Sequence, residues 1–172
     1  NATGGNIPGI DTIVVTSTDV YVGGDFSSIG GQPRIDLARL NPVTGLVDGG
    51  RQSFDPDPLN GVNASRVRVL QVSGDAVYVG GDFTTLGGQA RNFLAAIDAG
   101  SAAVQAWHPD ANAGVDVVVP SGGTVLVGGR FNSIGRVARR FAGAFDATSG
   151  AILPWNPNVS ATVFALGASG TT

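Results

Sequence analysis

The stretch Val-Tyr-Val-Gly-Gly-Asp-Phe, residues 20–26, decides the fold, because it returns unchanged at residues 77–83 and in relaxed form, Val-Leu-Val-Gly-Gly-Arg-Phe, at residues 125–131. A chain that repeats at a spacing near fifty residues, with short apolar strands broken by glycine turns, reads as an array of β-propeller blades. Outward from the repeat, Phe26, Phe83 and Phe131 align, and an arginine follows each at Arg34, Arg91 and Arg139. Next come Asn41, Asp98 and Asp146, in turns where a short polar side chain can bond the backbone and hold the reversal. An aromatic residue and a proline then recur in Phe54-Asp55-Pro56, Trp107-His108-Pro109 and Trp155-Asn156-Pro157. The second and third units keep one offset of 48 residues (Phe83 to Phe131, Arg91 to Arg139), while the first is longer around Gly49–Gln52 and Pro58–Ser65, which read as loops.

Each unit reads as four strands: a short apolar one (Ile13–Thr16, Val67–Val72, Val115–Val119), the Gly-Gly strand, a third (Leu37–Leu40, Phe93–Ile97, Phe141–Phe145), and a fourth leading into the aromatic-Pro turn. Blade limits of about 10–61, 62–114 and 115–161 follow, within a single all-β segment. Runs such as Val117-Val118-Val119 break strict alternation because both faces of a blade meet neighbours. The paired glycines predict a bulge or a close backbone approach, and Phe26, Phe83 and Phe131 are expected to plug the interfaces between blades.

Ser17, Ser73, Ser121 and Ser169 line up in this reading, so the opening strand occurs four times and the Gly-Gly strand three times. Residues 162–172 then begin a fourth blade, with Val163–Ala168 as its inner strand or as a closing strand. Propellers carry about four to eight blades, so the expectation is either a segment of a longer propeller, the preferred reading, or copies that complete a ring together.

Composition agrees. The 172 residues are 42% hydrophobic; all thirteen acidic residues are Asp, all ten basic residues are Arg, and the helix formers Glu, Lys and Met are absent. A net charge of −3 and a pI near 4.8 argue against nucleic-acid or acidic-membrane binding. No Cys is present, and no apolar run nears the roughly 20 residues that span a bilayer. The chain begins at Asn1 rather than Met, so it reads as a processed product or a piece of something larger. Sequons at Asn1, Asn63 and Asn158 are glycosylation acceptors only in a eukaryotic secretory setting.

The residues from Tyr21 to Arg34 (Tyr-Val-Gly-Gly-Asp-Phe-Ser-Ser-Ile-Gly-Gly-Gln-Pro-Arg) and from Tyr78 to Arg91 resemble the delta-sixty repeat family of β-propellers, and the likeness runs on through the Asx turn and the aromatic-x-Pro tail. The third unit departs from it at Arg130 and Arg136. The resemblance implies a propeller scaffold in a large secreted or surface protein of bacteria, and it carries no catalytic motif.

No residue is nominated as catalytic, cofactor-binding or metal-ligating. Gly-Gly-Asp-Phe lacks the following Glu of cyclic-dinucleotide synthases, and the glycines from Gly80 to Gly88 lack the Lys of a phosphate loop. Asp25 and Asp82 precede Arg34 and Arg91 by a fixed spacing and are expected to form a structural bridge within each blade. Arg130, Arg136, Arg139 and Arg140 make a positive cluster, read mainly as a solvated face. Calcium is considered at the turn residues Asp55, Asp57, Asp110 and Asn112, whose spacing fits no EF-hand. His108 alone excludes multi-histidine zinc sites, and Trp107 and Trp155 read as packing residues before sugar platforms. The expectation is a non-enzymatic module for adhesion, binding or assembly, with protein or glycan partners at its loops, or further blades or copies at its ends. Two alternatives stand beside it: a carbohydrate-active enzyme with Asp residues at a propeller channel, and a structural subunit polymerising by blade completion.

Overall fold

The computed structural model describes residues 9–47, 54–58 and 65–168, and the expected insertions lie largely outside them. Every helix or strand among the described residues is a strand. The first unit holds β1 (Gly9–Val15), β2 (Val20–Asp25), β3 (Ser28–Ile29), β4 (Gln32–Pro33) and β5 (Leu37–Leu40). The second holds β6 (Arg66–Ser73), β7 (Ala76–Asp82), β8 (Thr85–Leu86), β9 (Gln89–Ala90) and β10 (Leu94–Asp98). The third holds β11 (Val115–Ser121), β12 (Thr124–Gly129), β13 (Ser133–Ile134), β14 (Val137–Ala138) and β15 (Ala142–Asp146). The long strands pair antiparallel as β1-β2-β5, β6-β7-β10 and β11-β12-β15, and the short ones make one small hairpin per unit. The fold is that of propeller blades in series.

The fourth strand is shorter than the repeat suggests. It touches the third through a single bridge per blade, Leu40 with Val47, Ile97 with Val104 and Phe145 with Ile152. The turn before it forms as read: Asn41 Oδ1 accepts from the Val43 and Thr44 amides, Asp98 Oδ1 from Gly100 and Ser101, and Asp146 Oδ1 from Thr148 and Ser149. Bonds from Ser101 and Ser149 hold the Asp98 and Asp146 carboxyls below the usual range. Pairing then slips as the chain swings its aromatic residue away: Ala96 O accepts from Gln105 N–H while Ala96 N–H donates to Trp107 O, so its two partners are not one residue opposite.

Both glycines of the Gly-Gly pair have a job. A Cβ on Gly24, Gly81 or Gly129 would run into the carbonyl of Gly9, Arg66 or Gly114, because the innermost strand bulges there, at Asp11, Arg68 and Asp116. The preceding glycine is a notch for the next blade: a Cβ on Gly23 would stand 2.5 Å from Val67 Cγ1, and one on Gly80 2.8 Å from Val115 Cγ1. Gly128 faces Val163 Cγ1 in the same way, at 2.7 Å. Val163 is therefore seated where the inner strand of a following blade belongs, as its place in the repeat implies. It has one backbone bond of 3.4 Å to Gly129 O, and residues 163–168 form no strand, so that expectation is met in position and not in pairing. The serine alignment also shifts: Val15 pairs with Val20 as Val72 does with Val77, so Thr16, not Ser17, matches Ser73 and Ser121; Ser169 lies outside the described residues.

The core lies in the seams between blades. In the middle blade Val67, Leu70, Val77, Val79, Ala95 and Ile97 belong to the cluster shared with blade 1, while Val69, Tyr78, Leu94 and Ala96 belong to the one shared with blade 3. Phe83 plugs the first seam and Phe131 the second, both fully buried. Phe26, at the outer face of blade 1, is only partly covered. On that face Ile10, Ile13 and Val15 are exposed.

Candidate functional site

The bulge sets one charged residue per blade at the same point of the innermost strand, and these strands are neighbours. Asp11 of blade 1 takes both Nε and Nη2 of Arg66 from blade 2, the latter at 2.5 Å. Arg68 reaches Asp82 at 2.7 Å and Asp116 at 3.5 Å; Arg130 reaches Asp82 at 2.6 Å and Asp116 at 3.2 Å. Asp82, Arg68, Asp116 and Arg130 thus close a ring of alternating charge that ties blade 2 to blade 3. Gly114 has no side chain because one would collide with the Arg130 guanidinium.

This corrects two expectations. Asp82 does not pair with Arg91, which instead donates to Ala90 O, Gln89 Oε1 and Gln105 O; Arg34 bridges to Asp55 at 3.2 Å. Arg34, Arg91 and Arg139 share one pose, each with Nη1 on the carbonyl of the residue before it, so they brace their own hairpins. The arginine cluster of the third blade also comes apart. Arg130 is neutralised by two carboxylates, Arg139 braces its hairpin, and Arg136 lines a cleft of about 240 Å³ with His108, Pro109 and Asp110.

The calcium candidates have protein partners. Asp110 Oδ1 accepts from Asn92 N–H, Asn112 Oδ1 accepts from the Asn132 and Ser133 amides, and Asp55 faces Arg34. Among the described residues no three His, Cys, Asp or Glu side chains gather to hold a metal. Burial, followed by the neighbouring Asp55, pushes the Asp57 carboxyl up to about 6. A further carboxyl, Asp36, is buried and raised by desolvation, with Oδ1 accepting from Phe26 N–H at 2.9 Å and Oδ2 from the Ser65 hydroxyl.

His108 is an exposed turn residue whose Nδ1 donates to Ala106 O at 2.6 Å. Trp107 is 4% exposed and packs in the second seam, whereas Trp155 is 42% exposed. Asn158 is an exposed turn residue with φ 49°; Asn1 and Asn63 lie outside the described residues.

The repeat reading missed a buried charge. Arg39 lies in the first seam at the place of Ala96 and Ala144, with Nη1 donating to Ala99 O at 2.8 Å and Gly100 O at 3.0 Å and Nε 3.7 Å from Asp19. Above it opens a polar cleft of about 300 Å³ lined by Thr16, Ser17, Thr18, Asp19, Tyr21 and Asp75, among others. The signal was available, since one register of the repeat reads Arg, Ala, Ala.

The stacked sheets and their shared seams define a class, the β-propeller repeat proteins. A family model described as "Domain of unknown function (DUF5122) beta-propeller" matches residues 20–49, the span from β2 through the first hairpin and β5. No curated protein and no solved structure matches the chain.

Proposed function

We propose that this chain is a non-enzymatic repeat scaffold of a secreted or cell-surface protein, working by binding and assembly through its loops and outer blade faces. The observation that carries the reading is where the acidic groups go. Asp11, Asp82 and Asp116, on the innermost strands and beside them, are each paired with arginine across or within a seam. Carboxylates spent on holding blades together do not stand as the separated acid pair that sugar hydrolysis requires. Exposed apolar side chains lie both on the faces of blades 1 and 3 (Ile10, Ile13, Val15, Trp155, Phe164) and at the turns (Val43, Leu46), where a protein partner gains by covering them. The secreted setting and the narrower delta-sixty relationship rest on the resemblance of the Tyr21–Arg34 and Tyr78–Arg91 stretches. The test pairs a glycan and protein array with a panel of chromogenic glycosides. Binding without turnover is expected; turnover that disappears in Asp82→Asn or Asp116→Asn overturns the scaffold reading.

A further inference from the structure

The aromatic-x-Pro tail closes each blade in the same way except at one bond. Asp57, Asp110 and Asn158 all take the left-handed conformation there, with φ of 32°, 43° and 49°. The residue that follows is Pro58 in blade 1, Ala111 in blade 2 and Val159 in blade 3. A proline ring drives the residue before it toward extended backbone, so Asp57 alone of the three is held against its successor. It is held from both sides: the Pro56 carbonyl accepts from Gly87 N–H of blade 2, and Pro58 is buried. Asp57 itself is half-buried beside Asp55, which Arg34 bridges at 3.2 Å.

An aspartyl–prolyl bond carries its own means of hydrolysis, because the proline nitrogen belongs to a tertiary amide, takes a proton more readily than other peptide nitrogens, and leaves as a secondary amine. We propose that Asp57–Pro58 is a self-cleaving bond, which the folded chain hydrolyses without a protease through attack of the Asp57 carboxyl on the carbonyl carbon of the same residue. The carboxyl oxygen forms a bond to that carbon and closes a cyclic anhydride. The carboxyl proton passes to the Pro58 nitrogen, the C–N bond breaks, and Pro58 becomes a new N-terminus. Water then opens the anhydride to leave Asp57 as a free C-terminus, so the sum is hydrolysis of one peptide bond. The strained backbone at Asp57 is released by the cut, which favours this bond over the ordinary Asp55–Pro56 bond two residues earlier. The reactive form is the protonated carboxyl, since it supplies the proton as well as the nucleophile. Burial and then Asp55 raise that carboxyl to about 6 while Arg34 pulls the other way, so the reactive form persists at a pH where an exposed aspartate is nearly all ionised. Phe54 stays with the first fragment and shares a core cluster with Leu70 and Phe83 of the second, so the cut is expected to leave the seam assembled.

Intact-mass spectrometry of the purified full chain, incubated folded and in urea over a pH series, tests it. In the folded chain at a pH of about 6, fragments 1–57 and 58–172 are expected to appear at least about tenfold faster than fragments 1–55 and 56–172. In urea, where strain and burial are gone, the two bonds are expected to break at similar rates. The folded-state rate at Asp57–Pro58 is expected to fall at least about tenfold from a pH of about 6 to about 8, as the carboxyl loses its proton. Asp57→Asn keeps the turn, removes the acid and is expected to stop this cut. Asp55→Asn removes the neighbouring negative charge and is expected to move the pH midpoint of the cut downward, a shift that a contaminating protease would not show. A folded chain still whole at Asp57–Pro58 when the unfolded chain has begun to break overturns the proposal. Equal rates at the two bonds in the folded chain, or a cut that persists in Asp57→Asn, do the same.

Discussion

The seam between blades 1 and 2 and the seam between blades 2 and 3 share a plan and differ at one point. In the second, Ala96 leaves room for Trp107, whose Nε1 donates to Asp146 O at 3.0 Å and whose ring meets Tyr78 edge-on at 4.9 Å. In the first, Phe54 meets Tyr21 edge-on at 5.4 Å but has no N–H to offer. Arg39 supplies that donor alongside the Tyr21 hydroxyl, which bonds Ala99 O at 3.0 Å; the arginine's Nη1 bonds the carbonyls of Ala99 and Gly100 in the corresponding turn, and its guanidinium lies 5.2 Å from the Phe54 ring centroid. What the seam requires is an aromatic body and a donor aimed at the next blade's turn. One side chain can provide both, or two can share the task. The shared solution buries a charge, which then needs Asp19 beside it.

The largest test of this difference is Arg39→Ala. It leaves the Asp19 carboxylate without the Arg39 cation, the Gly100 carbonyl without that donor, the Ala99 carbonyl with the Tyr21 hydroxyl as its side-chain donor, and a hole against Phe54. Removing one member of a buried ion pair costs about 3–5 kcal/mol, so urea denaturation is expected to show a loss of that order. Phe54→Trp in the same chain installs the donor of the second seam, and a double-mutant cycle is expected to recover about 1–2 kcal/mol. A loss below about 1 kcal/mol for Arg39→Ala, the range of a solvated ion pair, means that the first seam does not depend on the arginine.

The glycine notches come next. Gly80→Ala sets a Cβ 2.7 Å from Val69 Cγ1 and 2.8 Å from Val115 Cγ1, inside a packed seam where neither valine can yield. Overpacking of this kind costs about 1–3 kcal/mol. Gly128→Ala meets Val117 and Val163 at 2.7 Å, but Val163 sits on a segment without strand pairing and can lift away. Its effect on denaturation is expected to be the smaller of the two, and equal losses would mean that residues 162–168 are held as firmly as β11. Trp107→Phe follows, giving the second seam the aromatic residue of the first without its arginine. The loss of one hydrogen bond to Asp146 O and part of a ring is expected to cost about 1–2 kcal/mol, and Ala96→Arg in the same chain is expected to restore part of it.

Much of both seams was legible in the repeated residues, because those residues report local needs of the backbone. Gly-Gly announces the bulge and the notch, Asn41, Asp98 and Asp146 announce the turn, and buried Phe83 and Phe131 announce the seam. The ion pairs were not legible. A fixed interval from Asp82 to Arg91 suggests a pair within one blade, but Asp82 meets Arg68 on the strand beside it and Arg130 in the following blade. Those partners are chosen by strand register and by the stacking of sheets, neither of which spacing within a unit encodes. The fourth strand shows the same limit: the repeat places it before the aromatic-Pro turn, and the swing of Trp107 into the seam reduces its pairing in the second blade to the Ile97–Val104 bridge. Arg39 was hidden for the opposite reason, since it is the residue that departs from the repeat.

The smallest expected effect sits at the outer end of the first seam, where Pro56 bonds Gly87 and is flanked by two acids. Asp57, Asp110 and Asn158 close the aromatic-x-Pro tail of each blade, all with positive φ of 32°, 43° and 49°. Asp and Asn tolerate that conformation better than other side chains. Only the first blade places a second carboxyl, Asp55, against this residue, and Arg34 offsets it in part. Burial and Asp55 raise Asp57 from the usual 3.8 to about 6, so the folded chain holds this proton more tightly than the unfolded one. Stability should therefore fall as pH rises from about 4 to about 6 and level off above it. Asp57→Asn puts the residue of blade 3 into blade 1, keeps the turn and removes the titration. Thermal melts from pH 4 to 8 are expected to lose that decline in the variant and, after screening at a partly exposed site, to gain about 1–3 °C at pH 7. A variant that keeps the wild-type slope would assign the pH dependence to another carboxyl, with buried Asp36 the first to examine.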